Sequence, residues 1–134
     1  MSGIEKVCEF LRECEVYYLA TVEGDQPRVR PFGTVLTYEG RLYIQTSKEK
    51  EVSKQIGKNP KVEISCCKDD KWLRVAGELE NDDRIEVKES MLDAHPNLKN
   101  MYKADDSNMQ VLYFKNGRAT FYSFSGDVEV IEIQ

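Results

Sequence analysis

The strongest constraint on the fold is a succession of β-rich runs joined directly by turn residues. YYLATVE (17–23) passes through GDQP into RVRPFGTVLTY (28–38), and Glu39-Gly40 turns that into RLYIQT (41–46). KVEISCCK (61–68) and KWLRVAGELE (71–80) meet at Asp69-Asp70. MQVLYFK and RATFYSFS flank Asn116-Gly117, the strongest short hairpin signal, and VEVIEI (128–133) closes the chain. Strands linked this tightly pair antiparallel, because a parallel pair needs a crossover of a dozen or more residues. A doubly wound parallel sheet would need a helix between most successive strands, and that pattern is absent. The expectation is a mainly β chain of about seven antiparallel strands, as a small barrel or a sandwich.

Three short helices are expected at its ends. Residues 3–14 place Ile4, Val7, Cys8 and Leu11 at helical spacing. A second helix, about 49–57, has Thr46 and Glu49 as a T-x-x-E capping box and Val52 and Ile56 as its buried face. Asn59-Pro60 stops it. A third spans 82–94 with Asn81 as cap, followed by a helical piece over 96–103 carrying Leu98, Met101 and Tyr102. No repeat or linker divides the 134 residues, so they read as a single domain, 1–134.

Charge narrows the function. With 24 acidic against 19 basic residues the net charge is −5, which disfavours a nucleic-acid partner. No run of about 18 apolar residues is present, so no membrane span is expected. The charged, amphipathic N-terminus MSGIEKVCEFLRECE is unlike a signal peptide, which places the chain in the cytoplasm. Cys8 and Cys14 point to different helix faces, and Cys66 and Cys67 to opposite strand faces. With one histidine, His95, and no CxxC, no metal site is expected. The cysteines read as small hydrophobes in a reducing compartment. No catalytic Ser/His/Asp or Cys/His set can be assembled, so catalytic residues stay unknown.

Three stretches carry candidate binding chemistry. In QPRVRPFG, Arg28, Arg30 and Phe32 share one strand face, with Val29, Pro31 and Gly33 on the other. Pro31 cannot donate to a ladder and Gly33 admits close approach, so backbone groups stay open beside two guanidiniums. That suits a flat anionic ligand; a barrel bulge with solvated arginines is the alternative, and on this stretch alone the more ordinary one. In TSKEKEVSKQ (46–55), a helix N-terminus, the hydroxyls of Thr46 and Ser47, and Lys50 and Lys54 on one face suit a phosphate. A capped helix with a solvated face is the alternative. In KWLRVAGELE, Trp72 and Arg74 share a face, as a pocket wall or as core and surface.

These segments, in this order, resemble the pyridoxamine 5′-phosphate oxidase-like family of FMN-binding split barrels. The matching stretches are YYLATVEGDQPRVRPFG, GRLYIQTSKEKEVSKQIGKNPKVEIS, WLRVAGELE and FYSFSG, which together cover most of the chain. The resemblance implies an antiparallel split β-barrel with helices at the barrel ends, a homodimer, and FMN bound between subunits. It assigns Arg30 and the backbone of Phe32, Gly33 and Thr34 to the flavin, with Pro31 between them. Thr46 matches the threonine ending the third strand. The Arg-Lys pair expected on the next helix aligns near Glu51 and Val52, so Lys50 and Lys54 stand in for it. Trp72 matches a polar residue near the flavin ring. The function implied is an FMN-dependent oxidoreductase acting on an unidentified small molecule, with NAD(P)H as a candidate donor; a non-catalytic flavin-binding protein is the alternative. The acidic ending SFSGDVEVIEIQ argues against vitamin B6 oxidation, whose enzymes carry a basic C-terminal motif. Tyr113, Phe114, Phe121, Tyr122 and Phe124 crowd the C-terminal hairpin and are expected either at a dimer interface or in the barrel core.

Overall fold

The structure, a computed structural model, describes residues 1–134. Helix α1 (Gly3–Cys14) opens the chain, capped by Ser2, whose hydroxyl accepts from the Glu5 amide while the Glu5 carboxylate accepts from the Ser2 amide. Then come β1 (Tyr17–Glu23), β2 (Gln26–Phe32), β3 (Leu36–Tyr38), β4 (Arg41–Ser47), α2 (Glu51–Lys58), β5 (Lys61–Lys68) and β6 (Lys71–Asn81). Helix α3 (Ile85–Ala94), a 3₁₀ turn (Pro96–Asn100), β7 (Met109–Ser123) and β8 (Val128–Ile133) complete it. All strand pairs are antiparallel, in the order β2-β1-β5-β6-β7-β4-β3, with β8 also on β7. The fold is an antiparallel split β-barrel.

The long strand β7 makes the split. Its first part, Met109–Tyr113, pairs with β4, and its later part, Gly117–Tyr122, pairs with β8, while β6 runs along both. The handover falls at Asn116-Gly117, where the sequence signals a hairpin. There is no hairpin. Asn116 takes φ 53°, and the β6–β7 register shifts between Ala76 and Glu78, a bulge inside one continuous strand. Gly117 is needed for close approach: a Cβ there would sit 1.9 Å from Ala76 O. The left-handed conformation that permits a two-residue turn also permits a bulge, and the 41-residue separation of Ala76 from Gly117 decides between them.

Other expected boundaries shift for similar reasons. The run 28–38 is two strands, because the chain leaves the ladder at residues 33–35. The Thr46/Glu49 capping box does not form. Thr46 stays in β4, a turn closes from Lys50 N to Ser47 O (3.1 Å), and Lys50 becomes an N-cap with no side-chain acceptor. Asn81 ends β6 and is not a cap; Arg84 takes that position. The 96–103 piece shortens to the 3₁₀ turn, leaving Met101 exposed.

Two apolar clusters result. The larger fills the barrel with Leu19, Ile44, Ile64, Leu73, Val75 and Phe114, closed at its ends by Leu11 of α1 and by Val52 and Ile56 of α2. The smaller joins Val87, Met91 and Leu98 to Tyr43, Met109 and Val111 on the other side of β4 and β7. Phe114 and Phe121 belong to the barrel core. Tyr113 packs outside it, under Arg41 (4.3 Å). Tyr122 and Phe124 stack with Trp72 on the outer face of β6 and β7 (ring centroids 5.0 and 5.1 Å).

Candidate functional site

Arg30 lies opposite Leu19 across the β1–β2 ladder, and Leu19 points into the barrel. Cross-strand partners share a face, so Arg30 turns inward toward α2. Its Nη1 donates to Thr21 Oγ1 (2.7 Å) and Leu19 O (3.3 Å), and its Nη2 to Gln55 Oε1 (2.7 Å). Thr21 in turn donates to Gln55 Oε1 (2.5 Å). A guanidinium carries five N–H donors. Three are used, which leaves the Nε–H and one Nη2–H without a protein acceptor. Arg30 forms no ion pair, whereas Arg28, on the same face, is paired with Glu23 at the surface (2.9 Å). Burial lowers the pKa of Arg30, and the neighbouring Arg28 charge adds to this; the group stays a cation. The result is a half-buried positive charge with spare donors and no counter-ion.

The chain leaving β2 supplies more donors. The amides of Gly33 and Thr34 have no acceptor within the protein. The rest of Thr34 and the amide of Val35 are held. Thr34 Oγ1 accepts from Gln45 N (3.0 Å) and donates to Gln45 O (3.3 Å), fastening the loop along β4. Tyr17 Oη donates to Thr34 O (2.6 Å), and Val35 N donates to His95 Nε2 (3.0 Å). Tyr17 is fully buried, which pushes its phenol pKa well up and keeps it a donor. Gly33 lies against Glu15 O, 3.4 Å from where a Cβ would stand.

Thr46 follows Gln45 and is buried on the barrel side of β4, next to α2. The N-terminus of α2 is open: Lys50 contributes no capping side chain, and the Glu51 and Val52 amides find no acceptor in the protein. Unpaired first-turn amides with the positive end of the helix dipole favour an anion. Lys50 and Lys54 are both exposed, with Lys54 3.3 Å from Glu51. A groove of about 430 Å³ runs along this helix beside Glu23, Gly24, Lys54, Gln55 and Lys58. The cleft between α1 and the β7–β8 turn, about 490 Å³, lies elsewhere and contains none of these donors.

Arg30 thus reaches α2 through Gln55, and the Gly33–Thr34 chain is fastened to β4 at Gln45, the neighbour of Thr46. The other expected residues stand apart. Pro31 is exposed on the outer face of the edge strand, where its missing N–H costs no ladder bond. The Phe32 ring packs on Tyr17 (6.0 Å) and rims the core, leaving only its backbone for a ligand. Ser47 points to the opposite side of β4 from Thr46, and its hydroxyl lies 2.5 Å from Tyr102 Oη. Trp72, alternating with the buried Leu73, is on the outer face of the sheet and not with Arg30. Thr21, Gln55, Tyr17 and His95 also shape the site without having been singled out for it. Thr21 and Gln55 did leave a trace: each is a polar residue on an otherwise apolar face, beside Tyr17 and Leu19 in one case and Val52 and Ile56 in the other.

The cysteines are all free, with Cys8 and Cys66 buried and Cys67 exposed. Burial pushes the Cys66 thiol strongly upward, and the neighbouring Cys14 raises it further. No helix is long and apolar enough to cross a membrane.

Residues 4–121 match the model of the family described as pyridoxamine 5′-phosphate oxidase. A crystal structure of a NimC/NimA family protein from Clostridium acetobutylicum is similar at 53% identity over 98% of this chain and 95% of that one, with a TM-score of 0.92. Two more distant structures share the fold. One is a pyridoxamine 5′-phosphate oxidase-related, FMN-binding protein from Nostoc punctiforme (12% identity, 100% and 98% covered, TM-score 0.63). The other is a heme-binding protein from Mycobacterium smegmatis (19% identity, 98% and 58% covered, TM-score 0.76). Among curated proteins there is no match. With a family match over most of its length, this chain belongs to the pyridoxamine 5′-phosphate oxidase family.

Proposed function

We propose that the chain binds FMN where β2, β4 and α2 meet and that it is an FMN-dependent oxidoreductase acting on a small molecule. One observation carries this reading: Arg30 is a half-buried cation without a counter-ion that keeps two spare N–H groups, and the chain leaving its strand adds unpaired amides at Gly33 and Thr34. Buried charges are ordinarily paired, so a site of this kind is built for an anionic, acceptor-rich ligand. The open start of α2, with Lys50 and Lys54, suits the phosphate, and Thr46 adds a hydroxyl at the same end of the barrel. The backbone of Phe32 extends the edge along which a flavin would lie.

Bound FMN supplies the electron transfer, from a donor such as NAD(P)H to the substrate. The chain's own residues do the rest. Arg30 and the free amides hold and polarise the acceptor atoms facing them. Thr21 and Gln55 fix the guanidinium. Val52 and Ile56 exclude water beneath α2. Flavin suits these donors better than heme, because Arg30, the open amides and the Thr46 hydroxyl offer hydrogen bonds to acceptor atoms and no axial ligand for iron.

The outer face of the sheet exposes Tyr18, Val29, Val128, Val130 and Phe124. That surface suits a second copy of the chain, and in such a homodimer Trp72 would reach the flavin site of the partner. The test is the absorbance spectrum of the purified protein and its titration with FMN and riboflavin, with mass by light scattering. The expected result is a dimer preferring FMN by tenfold or more, about the effect of one charge-assisted hydrogen bond. Equal affinity for the two flavins would remove the phosphate site. Anaerobic reduction by NADH or NADPH, then reoxidation by added acceptors, separates an enzyme from a flavin-binding protein without turnover.

A further inference from the structure

We propose that His95 is a positioning residue for this site: it fixes the Thr34–Val35 peptide, and so the direction in which the free amides of Gly33 and Thr34 point. The proposal rests on the FMN reading above. That one peptide unit is held at both ends by side chains from different parts of the molecule. Its carbonyl, Thr34 O, accepts from Tyr17 Oη of β1 (2.6 Å). Its amide, Val35 N, donates to His95 Nε2 (3.0 Å), from the end of α3. A peptide plane pinned at its oxygen and its nitrogen cannot rotate, and Thr34, which joins it to the preceding peptide with the free Thr34 N–H, is itself fastened through Oγ1 to Gln45 N and O.

His95 itself is well anchored. Its amide donates to Met91 O (3.0 Å) and its carbonyl accepts from Leu98 N (2.9 Å), so its backbone is tied on both sides. Pro96 ends α3 and holds the preceding residue out of helical geometry, at φ −132° and ψ 76°. Leu98 is buried in the second apolar cluster and roots the 3₁₀ turn there. The imidazole thus transmits the rigidity of α3 and its core to a loop that has no ladder of its own. The same Nε2 lies 2.9 Å from Val35 O, so the tether to the Val35 amide belongs to the ring protonated at Nδ1, whereas a ring protonated at Nε2 would grip the next carbonyl instead.

Val35 is 1% exposed. Without His95 its amide would be buried and unpaired, and the loop would have to turn to reach water, carrying the Thr34 amide with it. Glutamine can stand in for the ring, because its carbonyl can accept from Val35 N and its amide can donate to Val35 O.

The test compares wild type, His95→Ala and His95→Gln by FMN titration, by the visible spectrum of the bound flavin, and by hydrogen exchange at the Val35 amide in the flavin-free protein. The expected result is an FMN affinity about tenfold lower in His95→Ala, with an altered flavin spectrum and lost Val35 protection. His95→Gln should recover affinity to within about threefold and restore protection. A folded His95→Ala protein with wild-type affinity and spectrum overturns the proposal and leaves the FMN site intact. A wild-type protein that ignores FMN overturns the cofactor reading and the positioning role with it. In that case the exchange data show separately whether His95 holds the loop.

Discussion

Arg30→Ala separates what the guanidinium does for the fold from what it does for a ligand. In the flavin-free protein the substitution removes three hydrogen bonds, to Thr21, Gln55 and Leu19 O. Thr21 and Gln55 keep the bond between them, so neither hydroxyl nor amide is orphaned by the loss. At about 0.5–1.5 kcal/mol per net bond, and with relief from burying an unpaired charge, the cost is about 1–2 kcal/mol. For a chain of this size that lowers Tm by about 4–8 °C. The effect on FMN is of another kind. The two spare N–H groups can make charge-assisted bonds worth about 1.5–3 kcal/mol each, so losing even one weakens binding about ten- to a hundredfold. Arg30→Lys keeps the charge but loses the fork that reaches Thr21 and Gln55 together, and should fall between the two. Arg28→Ala removes only a surface pair with Glu23 and should change affinity little. The assay is quenching of flavin fluorescence for all three variants, with circular dichroism and thermal melting in the absence of flavin. A folded Arg30→Ala protein that binds FMN like wild type would refute the reasoning and make Arg30 a structural strut.

Three further outcomes test the fold and its electrostatics. Gly117→Ala drives a methyl into Ala76 O and should cost about 3 kcal/mol or more, read as a collapsed urea midpoint or insoluble protein; an unchanged midpoint would mean that β6 and β7 do not cross there. Bonds from Arg84, and then from Tyr43, hold Asp82 down to about 2. Its folded pKa is below its unfolded one, so its contribution, about 1 kcal/mol after solvent screening, is present above pH 4 and lost as pH falls toward 2. Asp82→Asn should therefore flatten stability across that range, and an unaltered acid profile would count against the pairing. Finally, Cys67 should react with a thiol reagent in the folded protein, while Cys8 and Cys66 react only on unfolding; rapid labelling of more than two thiols would contradict the burial of the others.

Much of this architecture was legible before any coordinates. The alternation in YYLATVE and KVEISCCK, the turns at Glu39-Gly40 and Asp69-Asp70, and the stop at Asn59-Pro60 are local signals, and each lies where expected. Pro31 in QPRVRPF pointed to a sheet edge or a bulge, and the structure has the run at an edge; its alternation put Arg28, Arg30 and Phe32 on one face. These features depend on side-chain direction and on donors missing within a few residues, which a sequence displays directly.

The tertiary structure decided which groups are satisfied and which are free. Asn116-Gly117 has the local chemistry of a hairpin, but Gly117 serves a strand crossing with Ala76 that no short window contains. Thr46 and Glu49 have capping-box spacing, yet Asn108 takes the Lys48 and Glu49 amides and the helix starts later, leaving its first amides open. Arg28 and Arg30 look alike in sequence; only the packing of α2 against β1, which brings Gln55 to Thr21, half-buries one and leaves the other paired at the surface. His95 touches a residue 60 positions away. A hydrogen-bond donor is free only after every possible partner in the chain has been placed, and that depends on the whole fold rather than on any stretch of it.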